Sequence, residues 1–132
     1  MNISTITEEN TILFKEISNV NDVIQMNKYL LIHHTDESVR YITSELVHNA
    51  IKTNSSCDVL VNCSKVETLI NGKEDKYKEV ESYLKNINDS KSIKSKKIGG
   101  KGILSILAMG WEVMVEQLSP SKYRVSAINR TN

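Results

Sequence analysis

The sequence has no excess of charge of one sign. Lys and Arg number 17 against 16 Asp and Glu, a net charge of +1 at neutral pH. A general nucleic-acid binder carries a clear basic excess, so that class is not expected. The same balance argues against an electrostatic membrane anchor, and no apolar run approaches the roughly 20 residues that span a bilayer. The first residues, MNISTITEENTILF, lack a basic start followed by an apolar stretch, so no signal peptide is expected. There is no CxxC pair. Cys57 and Cys63 flank a short apolar run. If that run is a strand, they lie on one face about 20 Å apart, too far to bridge. Buried, reduced thiols in a cytosolic protein are the expectation. No internal repeat is visible.

What is present suits a globular chain. Its 132 residues are 39% hydrophobic and 25% charged, enough for one domain around one core. The rest of the chain is arranged around DESVRYITSELVHNAIKTN, from Asp36 to Asn54. At about 100° per residue, Glu45, Asn49 and Lys52 fall within a sector of roughly 60° on one helix. Val39, Ile42, Leu46 and Ala50 occupy the neighbouring sector, which reads as the core face. A carboxylate, a carboxamide and an ammonium thus line the edge of a buried surface. Burying such groups is costly without partners. Either they pair with one another at the rim or something polar sits against them; taken alone, the row also fits a solvated helix edge.

The remaining periodicities set the order of elements. Thr11–Ser18 reads as a first strand. A helix follows from Asp22 to about His33, capped by Asn19 or Asn21, with Val23, Met26, Leu30, Ile24 and Leu31 turned inward. After the long helix, Asn54-Ser55-Ser56 is a break. Asp58–Asn62 and Val66–Asn71 read as strands joined through Cys63-Ser64-Lys65, and Asn71-Gly72 ends the second. Tyr77, Val80, Tyr83, Leu84 and Ile87 give a helix over Asp75–Asn88. Asp89–Lys97 is polar and rich in Ser and Lys, and reads as a mobile loop. Gly99-Gly100-Lys101-Gly102 opens a short apolar helix, ILSILAM, and two strands, Trp111–Leu118 and Tyr123–Ile128, close the chain around Ser119-Pro120-Ser121. The expectation is an α/β two-layer sandwich, with a mixed, mostly antiparallel sheet and helices on one face.

Two stretches carry candidate chemistry. Glycines opening a helix let backbone N–H groups approach a phosphate, and the helix start favours negative charge. Lys101 and Lys97 add ammonium groups there. GGKG is not a Walker A loop, because Ser95 stands where that loop needs glycine and Gly102 follows the lysine. Elsewhere the signals are poorer. His33 and His34 are adjacent and cannot share a metal as an i, i+4 pair does. Neither cysteine has an evident base partner, so a cysteine nucleophile is not expected.

Glu45-Leu46-Val47-His48-Asn49-Ala50-Ile51-Lys52 resembles the N box, E-x-x-x-N-A-x-K, of the histidine-kinase-type (GHKL) ATPases, the superfamily that includes gyrase, MutL and the anti-sigma-factor serine kinases. Gly100-Lys101-Gly102-Ile103 is similar to its second glycine box, and the order of elements is similar over most of the chain. The resemblance implies the Bergerat-type ATP-binding fold, with ATP and Mg²⁺ between the N-box helix and a lid-like loop near 89–101. By carry-over, Asn49 would give an oxygen to Mg²⁺ and Glu45 would be the catalytic base. Lys52, Lys97, Gly99, Gly100, Lys101 and Gly102 would lie at the phosphates. The first glycine box, D-x-G-x-G, is missing. By position Asn71 and Gly72 replace it, and Asn71 carries no charge for the adenine amino group. The strand ending in Asn, the helix and the glycine box together resemble the SiaB-type bacterial protein kinases. That likeness implies phosphorylation of a Ser or Thr on a small regulatory partner, such as an anti-anti-sigma-like protein, and admits a homodimer. His48 sits within the N box without a dimerising phosphoacceptor helix pair, so a complete sensor kinase is not implied. The alternatives are a pseudo-ATPase of the same fold that only binds a partner, and an interaction module with an unrelated α/β fold.

Overall fold

The computed structural model describes residues 1–6, 11–33, 36–52, 55–72, 74–89 and 100–130. In chain order these form β1 (Asn2–Ile6), β2 (Thr11–Ile17), α1 (Val20–His33), α2 (Glu37–Ile51), β3 (Ser56–Val61) and β4 (Lys65–Asn71). The order continues with α3 (Glu74–Asp89), α4 (Gly100–Ala108), β5 (Glu112–Ser119) and β6 (Lys122–Ile128). The elements read from periodicity are all present, with ends shifted by a few residues. β1 is an addition; it pairs with β2 through Asn2↔Lys15 to Ile6↔Thr11. The expected loop lies outside the described residues, except that Asp89 belongs to α3.

The six strands run in the order β1-β2-β3-β4-β6-β5. Every pairing is antiparallel, which corrects the expectation of a mixed sheet. The reason lies in one insertion. The helical crossover through α3 and α4 returns β5 in the same direction as β4, as a parallel connection would. β6 then inserts between them and pairs with both. At the other end the chain passes through two helices between β2 and β3, so it re-enters the sheet antiparallel.

Alternation puts one side of the sheet in the core. Cys57, Val59 and Val61 on β3 lie beside Val66, Thr68 and Ile70 on β4, and these beside Tyr123, Val125 and Ala127 on β6. All are buried, and α2 lies against β3 and β4. Thr68 is polar yet satisfied, its hydroxyl donating to Val125 O at 3.1 Å. The other side carries Asp58, Leu60, Lys65, Glu67 and Leu69, only half-buried. A bulge after Phe14 keeps β2 in register with this pattern. Glu16 takes φ +60° there, its N–H donates to Asp58 Oδ1 at 2.9 Å, and Ile17 is returned to the interior.

Local signals set the helix ends. Asn19 caps α1, accepting from Asp22 N at 2.9 Å. Asp36 caps α2, accepting from Ser38 N and Val39 N at 2.9 and 3.2 Å. Gly110, at φ +88°, follows α4 in the left-handed conformation that ends helices. On α1, Val23, Met26 and Leu30 are buried as expected. Ile24 and Leu31 are not: they are 46% and 66% exposed. Both sit roughly 120° around the helix from the buried row, on the side where Val20 is also exposed.

Candidate functional site

The site is assembled where α2 and α4 meet. On α2, Val39, Ile42, Leu46 and Ala50 are buried, so the next row, Glu45 and Asn49, runs along the rim of the core and is half-buried. Lys52 continues that row as the C-cap. Its N–H donates to His48 O at 3.0 Å and its side chain is exposed.

Two observations distinguish this rim from a solvated helix edge. The first is at Asn49, whose Nδ2 is buried and has no hydrogen-bond partner among the described residues. Neither Glu45 nor Lys52 satisfies it. Turning the amide over would place its oxygen there with the same need. Such an orphan costs about 1–3 kcal/mol. The second is at Gly102, buried in the first turn of α4. A Cβ built there would fall on Glu45 Oε2 and lie 3.1 Å from its Cδ. The Glu45 carboxylate therefore rests on the start of α4, where backbone N–H groups lack partners within the helix.

Other candidate residues are placed differently. Gly100 and Lys101 begin α4, and the Lys101 side chain, Lys97 and Gly99 lie outside the described residues. Asn71 is not brought to the rim. It alternates with Ile70, is exposed on the sheet side away from the core, and donates from Nδ2 to Ser56 Oγ at 3.3 Å. Gly72 closes the end of β4 instead. Its N–H donates to Ser121 O at 3.0 Å, and a Cβ there would come within 3.1 Å of Ser55 Oγ and 3.3 Å of Tyr123 Cε1. Ser55 is buried, although its sequence context reads only as a helix break. Its contact with Gly72 continues the β3–β4 register one step beyond Ser56↔Asn71, while the Tyr123 contact depends on β4 and β6 being neighbours.

The remaining reactive groups are quiet or peripheral. Burial, with Asp58 adding negative charge beside it, pushes the Cys57 thiol up to about 12. Cys63 is exposed beyond the end of β3, which corrects the expectation of two buried thiols on one strand face. His33 stacks on Tyr29 with ring centroids 4.2 Å apart, and His48 Nδ1 lies 3.1 Å from Ser44 O. Among the described residues no group of three His, Cys, Asp or Glu could hold a metal by itself, and no helix is long and apolar enough to cross a membrane. A scan against protein-family models gives no match to this chain, and searches against curated proteins and against solved structures give none either.

Proposed function

We propose that the chain binds ATP with Mg²⁺ in the groove between α2 and α4 and acts as a small regulatory serine/threonine protein kinase of the histidine-kinase-like type. The observation that carries this reading is the pairing of Glu45 with the glycine-opened start of α4, with the orphaned amide of Asn49 one turn along the same rim. The helix-covered antiparallel sheet and its element order are compatible with a Bergerat-type fold. The residues fit a cation that brings its own oxygen ligands, since Asn49 offers one amide oxygen and Mg²⁺ prefers few protein oxygens with phosphates and water. Bound there, the ion would supply charge neutralisation at the transferred phosphoryl group. Gly100, Lys101 and Gly102 offer backbone N–H groups in the first turn of α4 to phosphate oxygens. In this reading Glu45 would orient the attacking hydroxyl of a partner's Ser or Thr and take its proton.

Calorimetric titration with ATP and Mg²⁺ tests the reading. Saturable binding is expected, and Asn49→Ala weakens it about tenfold or more by removing a ligand and its orientation. Glu45→Ala retains binding and slows ATP turnover. No saturable binding at millimolar ATP ends the reading.

A second reading, a pseudo-ATPase that serves as a protein-interaction module, draws support from two placements. Asn71 lies on the sheet side opposite Glu45 and Asn49, so it does not replace the adenine-reading carboxylate. Val20, Ile24 and Leu31 form an exposed apolar stripe on α1. Failure to bind ATP, with stability unaffected by the nucleotide, is the outcome that favours this reading.

A further inference from the structure

We infer that Glu45 is a specificity-determining residue that makes the site reject a bare polyphosphate and accept one complexed to a divalent cation; the inference rests on the nucleotide reading above. Its basis is the position of one carboxylate. Glu45 is carried on α2 between Ile42, Leu46 and Ala50, which are buried, so its backbone is fixed by the core. Its Oε2 occupies the space that any Cβ at position 102 would need. The first turn of α4 is thus already in contact with a carboxylate, at a helix start whose N–H groups lack partners within the helix and whose dipole favours negative charge.

A polyphosphate is drawn to that turn by the same N–H groups. To reach them it must come within a few ångströms of the carboxylate. Like charges at about 5 Å, in the partly dehydrated rim of a protein, repel enough to change an affinity tenfold or more. A divalent cation travelling with the phosphates cancels most of that charge. Asn49 is one turn further along the rim, with a buried amide nitrogen that has no hydrogen-bond partner among the described residues. The carboxylate that rests on Gly102 therefore discriminates between two forms of the same ligand by charge alone, without contacting the base.

The test is ATP binding by calorimetry, once in excess EDTA and once in excess Mg²⁺, for the wild type, Glu45→Gln and Glu45→Asp. Glu45→Gln keeps the shape and removes the charge. Glu45→Asp keeps the charge and draws it back from Gly102 by one methylene, and serves if the Gln protein does not fold. In EDTA, Glu45→Gln is expected to bind ATP about tenfold or more tightly than wild type, with Glu45→Asp in between. In Mg²⁺ the three agree within about threefold. Equal affinities in EDTA, with binding intact in Mg²⁺, overturn the inference and leave the nucleotide reading standing. No binding by any of the three in either condition overturns the nucleotide reading and the inference with it.

Discussion

Two neighbouring rows on α2 obey different rules. The row Val39, Ile42, Leu46, Ala50 is apolar, buried, and packed over β3 and β4. The row Glu45, Asn49 lies one step around the same helix, half-buried, with a carboxylate on another helix's first turn and an amide nitrogen without a partner among the described residues. The first row gains from every group it hides from water. The second hides a polar atom at a net cost. A helix that needed only to pack could replace Asn49 with an apolar residue. Among the described residues it carries an amide nitrogen without a partner beside the Glu45 contact, and the proposed nucleotide site rests on that departure from local consistency.

Substitutions along the helix sharpen the contrast. Leu46→Ala should have the largest effect, a loss of about 2–5 kcal/mol in urea unfolding, because it leaves a cavity above the sheet. The ATP affinity of the folded fraction should be unchanged. Asn49→Leu should do the reverse, raising stability by about 1–2 kcal/mol as the orphan disappears while ATP binding is lost. If it instead destabilises the protein, the amide has a structural role and the two rows are less distinct than described. Asp36→Ala should be the smallest, costing about 1 kcal/mol through the lost cap, with thermal unfolding as the readout and no change in ligand binding.

What the residues alone reveal follows the range of the interaction. The cap at Asp36 is a contact over two and three residues, within the reach of local sequence. The rim row of Glu45 and Asn49 is equally legible, since it needs only helix geometry. The inward face of α1 is narrower than its apolar residues suggest: Ile24 and Leu31 are apolar, but apolarity does not say which side a neighbouring helix covers. Contacts between distant elements were the least accessible. Glu45 and Gly102 were each identifiable as candidates, yet their packing depends on how α4 docks on α2. Which side of the sheet Asn71 takes, the one away from α2, is a distinction of one residue in a period of two. β1 is not legible because NISTI is short and its polar residues, Asn2, Ser4 and Thr5, do not alternate with its apolar ones; its partner strand is what makes it a strand.

The insertion of β6 between β4 and β5 has a consequence for the order of assembly. Lys65–Asn71 precedes α3, α4 and β5 along the chain, yet its second hydrogen-bonded neighbour is Lys122–Ile128, which follows them all. Until then one side of β4 is a row of open N–H and C=O groups, and β5 has no partner in the sheet. Closure must wait for a contact between segments far apart along the chain, which slows folding and leaves an adhesive edge exposed in the nascent protein. The strand that completes the sheet is therefore also the one whose delay puts the newly made chain at greatest hazard of sticking to another.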